Sequence, residues 1–441
     1  MALLFFLMAV SGEQAIRGLL TVKTGTVTLP AGKIEISSEL KLAAGAHDLT
    51  IDGAGATLHA SRKFTGRAIL SCQGCRNIAI RNLAIDGNRA ALERPIPLAP
   101  TDIPFSRFYP SNGILIEDTD GLSVEHVDFR NMANFAMIVS QSRHVLIAHG
   151  SVESSGSRNA TGRNNTSGGI LLEQGTDDFT VADSTFRGIR GNAVWTHSCY
   201  RSPRNQRGKI AHNQFSDIGR DAIQVGHATR VLVTGNTGNR IGFNVAEVDL
   251  ENGGTPVGID TAGNVDHSVY EYNHFEEVDG KCIDLDGFHD GTVRDNVCIN
   301  RGKPEHYPYG NFGISLNNTS IEMRSQNITI EDNQLEGMKF GGIFVVGTGH
   351  KILHNQMRRL NTAHCNETHA RFGCLAIAGE PDFLNSGIYL AKRADKPDPV
   401  RRITIDDNLI SGWKMAAHCI EAAPGVRVAD NSIRGNRCTD E

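Results

Sequence analysis

The sequence predicts an all-β chain built as a parallel β-solenoid, and three observations predict it. First, a short pattern (apolar, any, any, Asn, any, apolar) recurs as "IAHNQF" at Asn213, "VTGNTG" at Asn236, "YEYNHF" at Asn273 and "VRDNVC" at Asn296. It returns as "IEDNQL" at Asn333, "ILHNQM" at Asn355, "IDDNLI" at Asn408 and "VADNSI" at Asn431. Second, a Gly-containing turn and another short strand follow each copy, as in "AIQVGH", "CIDLDG", "GISLNN" and "GIYLAK". Third, these strands run only three to five residues, too few to bury a face alone. Stacking rung on rung at about 4.8 Å closes a continuous core of inward side chains.

Each element follows in chain order. Residues 3–10 form an apolar run of eight, far too short to span a bilayer. Small residues follow it, and residues 1–12 are read as the remnant of a signal peptide, with 13–441 as a single domain. An amphipathic helix is expected from about Glu13, followed by "GTVTLPAG" and the first strands. The repeated Asn is a turn former, because Asn tolerates left-handed geometry and its side chains can hydrogen-bond up the stack.

The nine Cys suit an oxidising compartment. Cys365 and Cys374 bracket a loop that a disulfide can close, and Cys419 with Cys438 can staple the last coil. "SCQGC" has no second pair at zinc spacing, and the odd count leaves at least one thiol free or buried. There is no basic run and no Lys/Arg face interleaved with aromatics, which excludes a nucleic-acid partner; the formal net charge is −5.

Period-2 alternation sorts each second strand into inward and outward positions. The first outward column reads Leu115, Ile138, Leu171, Trp195, Gln224, Asp260, Asp284, Ser315, Phe344, Tyr389, Glu421. The second contains Glu117, Ser140, Glu173, His197, Asp286 and Asn317. Charge therefore gathers mid-chain: Asp260 and Asp284 share a column, Asp286 lies one step along the strand, and His289 follows in the turn. The preceding loop adds Glu247, Asp249 and Glu251. Asp290 and Asp295 are read as turn formers. Register geometry puts the Cα atoms of Asp260 and Asp284 about 5 Å apart, and those of Asp260 and Asp286 about 8 Å apart. That diagonal falls in the separation of an inverting carboxylate pair, and clustered carboxylates raise one another's pKa so that one can stay protonated as an acid.

The Asn-turn repeat and the early "GAGATL" resemble the right-handed parallel β-helix superfamily of pectate lyases, polygalacturonases and related polysaccharide enzymes. The resemblance implies a single right-handed parallel β-helix with a short N-terminal capping helix, and a polysaccharide as substrate. The aspartates resemble the three of polygalacturonases, which carry a histidine nearby. On that reading Asp260, Asp284, Asp286 and His289 are catalytic, with Asp286 as acid and either Asp260 or Asp284 as base. The family's Asn-Thr-Asp, Asp-Asp, Gly-His-Gly and Arg-Ile-Lys strings are absent from this chain.

Trp195, His197, Gln224, His227, Asn317 and Phe344 are the expected substrate contacts. No cofactor is expected for hydrolysis of a uronate-containing glycan. Calcium held by Asp260, Asp284 and Asp286 is the alternative, implying a lyase with Lys281, Arg220 or Arg294 as base. "DGFHDG" faintly resembles the Asp-Pro-His-Asp string of uronan epimerases, and a non-catalytic glycan-binding solenoid is the reading from a different class. The insertions 89–112 and 302–311 are expected to wall a cleft, 154–168 to form a polar loop, and the protein to be secreted or periplasmic.

Overall fold

The computed structural model describes residues 12–249, 255–310, 312–317, 323–365, 374, 385–392 and 400–441. Residues 1–11 of the expected signal-peptide remnant and Glu251 lie outside the described residues, and Gly12 opens the first helix. The strands form one continuous sheet wound into coils, and every pairing between named strands on the site face is parallel. A representative coil runs through Asn205–Ala211, Gln214–Ile218 and the start of Ile223–Thr234. Inward Ile, Val, Leu and Phe side chains stack into one core along the axis, with Phe186 on Phe215 at 5.1 Å between ring centroids.

The helix Gly12–Leu19 covers the first coil. It inserts Ile16 into the core, and Arg17 ties it to the strand Gly32–Lys41 by donating to the carbonyls of Ser38 (2.7 Å) and Glu39 (3.0 Å). Capping the open end this way covers a sheet edge that would otherwise pair with other chains.

The Asn turns form a ladder. Asn296 donates from Nδ2 to Asn333 Oδ1 (3.0 Å) and to the Tyr270 carbonyl (2.9 Å), while its own Oδ1 accepts from the backbone and side chain of Asn273. The same unit joins Asn213, Asn236, Asn273, Asn296, Asn333, Asn355 and Asn408. It then continues to Asn436, not to the expected Asn431. Asn431 instead accepts from the backbone N–H of Ile403.

Four disulfides link Cys72–Cys75, Cys282–Cys298, Cys365–Cys374 and Cys419–Cys438, leaving Cys199 as a buried free thiol. The two expected pairs are present. The "SCQGC" pair closes on itself. Four such bonds fit an oxidising compartment, and no helix among the described residues is long and apolar enough to cross a membrane.

The outward column matches the expected register from Leu115 to Glu421. Its first four members are apolar for a reason the parity could not supply. The 89–112 insertion folds down onto them, and Phe105, Tyr109 and Ala99 pack with Leu115, Ile138, Leu171 and Trp195 in a second apolar cluster outside the helix. The buried Glu173 carboxylate holds this cover in place by accepting the backbone N–H groups of Phe105 (2.8 Å) and Ser106 (3.1 Å).

Candidate active site

The cover ends at Trp195, and the next outward positions are polar. Gln224 pairs with Asp260 across the strands Ile223–Thr234 and Val257–Asp266. Asp260 pairs with Asp284 on Lys281–Asp286, and Asp286 pairs with Asn317. Gly287 turns the chain immediately after Asp286. Its φ is +77°, and a Cβ there would lie 2.2 Å from the carbonyl oxygen of Gly263, so only glycine fits.

A line of polar side chains backs the aspartates. Asn192 donates to Gln224 Oε1 at 2.6 Å, and Gln224 donates from Nε2 to Asp260 Oδ2 at 2.6 Å. One turn earlier, Asp221 is buried and accepts the Val257 backbone N–H at 3.1 Å. Lys281 reaches over the strand and donates to Asp284 Oδ2 at 2.6 Å.

Charge follows from this packing. Burial, then Asp221 and Asp284, raise the pKa of Asp260 well above the usual carboxylate range, and the Gln224 hydrogen bond does not offset them. Burial likewise pushes Asp221 up to about 7. Burial alone would lower the Lys281 ammonium, but the neighbouring carboxylates, Asp284 first, outweigh it and raise its pKa. Lys281, and Arg220 beside Asp221, thus face four carboxyl groups. At least one of them stays protonated, because like charges this close cannot all ionise in a low dielectric.

The other expected residues divide. Gln224 and Asn317 lie beside the aspartates as expected. Trp195 does not present a face for a sugar: it is 6% exposed and packs edge-on against Phe105 at 5.0 Å. His197 is sandwiched with Phe105 (4.8 Å) and Trp195 (5.2 Å), and burial drives its pKa down to about 4, so it is a neutral packing residue. Phe344 packs between Phe312 and Tyr389 at the far side. His289 hydrogen-bonds at both ring nitrogens, with Asp290 Oδ2 at 2.8 Å and Asn264 Oδ1 at 3.1 Å, at the turn that follows Asp286. Asp290 and Asp295 have φ of 50° and 53°, the left-handed turn geometry expected of them.

His227 remains at the site, half-buried, with its pKa lowered by burial and by Arg204. Its ring stands edge-on to Tyr200 at 5.2 Å. Tyr200 is 58% exposed, and burial of its hydroxyl together with the Asp286 charge raises its pKa. It also lines a cavity of about 540 Å³ with Asp102, Arg107, Glu117 and Arg201. Residues 101–107 of the cover help to line this cavity; the aspartates do not line it, and Tyr200, which feels the Asp286 charge, is the residue common to both.

Among the described residues no group of three or more His, Cys, Asp or Glu is arranged to hold a metal ion, and Asp284 already holds Lys281. Two of the candidate lyase bases are in ion pairs. Lys281 is ion-paired with a raised pKa, and Arg294 is spent on Glu271 at 2.7 Å.

Tyr200, Asn192 and Asp221 were not expected. Asn192 and Asp221 occupy the same turn position, two residues before the paired Val194 and Ile223, so a polar column at that turn was the available signal. Tyr200 lies in an irregular segment with no repeat to place it.

Residues 169–357 match the family model described as "Right handed beta helix region". A search of the curated proteins finds no match to the sequence. Among solved structures, PfbA, a surface adhesin of Streptococcus pneumoniae, is similar with a TM-score of 0.58 and 17% identity, covering 80% of this chain and 87% of that one. The DFA-IIIase of Arthrobacter chlorophenolicus A6, solved in complex with GF2, is similar with a TM-score of 0.51 and 13% identity, covering 96% and 91%. Identities this low speak to the fold alone. On sequence match, strand register and structural likeness together, the chain is a right-handed parallel β-helix protein.

Proposed function

We propose that the chain is an enzyme acting outside the cytosol that hydrolyses glycosidic bonds of a polysaccharide with a pair of carboxyl groups. The observation that carries the reading is that two carboxyls on adjacent rungs have unlike surroundings. Asp260 is buried and flanked by Asp221 and Asp284, and its pKa is raised well above the usual carboxylate range. Asp286 is half-buried at the strand end, and its charge reaches the Tyr200 hydroxyl. Environments that push two carboxyls apart assign acid and base.

Asp260 is the acid. Its Oδ2 is fixed by Gln224, which leaves Oδ1 to give a proton to the glycosidic oxygen as the C–O bond breaks. Asp286 is the base and accepts a proton from the water that attacks the anomeric carbon. Burial, then the charges of Asp221 and of Asp284, the latter paired with Lys281, raise the Asp260 pKa and so favour its protonated form. These roles exchange those expected from sequence, because burial selects Asp260 for the proton. A diagonal separation of about 8 Å leaves room for the water and predicts inversion at the anomeric carbon.

The test is a polysaccharide panel read for new reducing ends and, in parallel, for the ultraviolet absorbance of an unsaturated product. Reducing ends without that absorbance, abolished in Asp260→Asn and in Asp286→Asn, are expected. Unsaturated product, or binding of every substrate without turnover, overturns the reading.

A further inference from the structure

A second cavity, of about 370 Å³, lies at the turns leading into the site strands and contains Arg89, Arg158, Arg190, Arg240, Asn164 and Phe243. Three of its arginines have carboxylate partners. Arg158 binds Glu247 at 2.7 Å, Arg240 binds Asp217 at 2.7 Å, and Arg190 binds Glu93 with Glu247 at 3.9 Å. Among the described residues Arg89 forms no ion pair, and the Nη1 of its half-buried side chain is buried without a hydrogen-bond partner. A buried donor left unsatisfied is costly, and one that points into a cavity invites an acceptor from a ligand.

We propose that this cavity is a subsite for an oxyanion carried by a sugar residue of the substrate, with Arg89 as its anchor. The inference rests on the reading above and names the substrate's chemical class. Burial first, then Arg190 and Arg158, lower the Arg89 pKa, while Glu93 and Glu247 oppose them. By formal charge the four arginines outnumber Glu93, Glu247 and Asp217 by one. A planar guanidinium is suited to two-point binding of a carboxylate or sulfate. Phe243, under Arg240 at 4.8 Å, provides an apolar surface beside the charge.

Three segments build the pocket deliberately. The 154–168 loop donates from the Asn164 backbone to Glu247 (2.7 Å) and from Arg163 to the Val248 carbonyl (2.6 Å). It also receives the Ile96 backbone N–H at the Arg158 carbonyl (2.9 Å), which joins it to the 89–112 insertion. The cavity is coupled to the aspartates through one short path. Arg190 precedes Asn192 by two residues, about 7 Å of extended chain, and Asn192 begins the hydrogen-bonded line through Gln224 to Asp260. On this proposal, a glycan cleaved at Asp260 lays a neighbouring residue over this pocket.

The experiment measures binding, not turnover, with Asp260→Asn protein as host. The probes are a uronate tetrasaccharide, its carboxyl-reduced neutral counterpart, and the same neutral tetrasaccharide bearing a sulfate ester. At least one charged probe is expected to bind tenfold or more tightly than the neutral one, and which of them does so distinguishes carboxylate from sulfate. Arg89→Gln is expected to erase that preference with an unchanged melting temperature, and Arg89→Lys to keep part of it. Equal binding of all three probes, or a preference that survives Arg89→Gln, overturns the subsite. Hydrolysis of neutral glycans alone by the wild-type protein also overturns it while leaving the hydrolase reading intact. A charge preference lost in Arg89→Gln, in a protein that hydrolyses nothing, fails the hydrolase reading and keeps the subsite.

Discussion

Asp260 and Asp286 carry the same functional group, and only their neighbours assign them different work. Replacing either with Asn is expected to lower kcat by about 10²- to 10⁴-fold, the usual contribution of a general acid or base. The two variants should separate on an activated aryl glycoside, whose leaving group needs no protonation. Asp260→Asn is expected to recover most of its rate on that substrate and Asp286→Asn none; recovery by both, or by Asp286→Asn alone, would reassign the roles. The raised pKa of Asp260 also sets the alkaline side of the pH profile, because the rate falls as this proton is lost, and Asp260→Asn removes that limb. Lys281 is a positioning residue. Its ammonium is the partner of Asp284 among buried carboxyls, so Lys281→Met leaves that charge uncompensated and is expected to cost about 3–5 kcal/mol in urea denaturation. Adding Asp284→Asn should restore much of the loss. A second substitution that deepened it instead would show that the pair is not the source.

At the scale of the element, the Asn ladder and the strand parity do different jobs. Each interior Asn satisfies donors and acceptors that no water reaches. Asn296→Ala strips partners from the Tyr270 carbonyl, the Asn273 side chain and the Asn273 backbone at once. With about 1–3 kcal/mol for each buried group left unsatisfied, a loss of at least about 3 kcal/mol is expected. Asn436, half-exposed at the end of the ladder, should lose about 1 kcal/mol in the same substitution, and equal losses would mean that the ladder is not the source of the effect. The period of two and the repeated Asn made the rung register legible, down to the pairing of Asp260 with Asp284. Parity speaks only of which face a side chain takes, however. It could not show that 89–112 folds over Leu115 to Trp195, nor that turn residues such as Asp221 reach the site, because those contacts join segments with no shared repeat. The last rung shows the same limit: "VADNSI" fits the pattern, yet stacking selects Asn436.

The whole molecule adds these local charges into one pH dependence, and their signs oppose. Asp221 and Asp279 are both raised to about 7 by burial. The folded chain keeps those protons while the unfolded chain releases them from about pH 4 upward, so both groups reduce stability as pH rises towards 7 and leave it level above. His197 and His350, lowered to about 4 by burial, act in reverse. The unfolded chain holds their protons up to about pH 6.5, so they add stability across nearly the same interval. Asp260, raised further still by burial, adds a third loss that does not end at pH 7, so the wild-type profile is expected to decline gently between about pH 4.5 and 6.5 and to keep falling above it. The double variant Asp221→Asn, Asp279→Asn exposes the hidden slope. Asn retains an oxygen for the Val257 and Tyr309 backbone N–H groups that these carboxylates accept, so the hydrogen bonds can survive the change. With the histidines then opposed by Asp260 alone of these three raised carboxyls, the urea midpoint should climb from about pH 4.5 to 6.5 and exceed the wild type most at about pH 8. A variant whose midpoint tracks the wild type across that range would mean that Asp221 and Asp279 both ionise in the folded chain, against the upward shift that burial gives them.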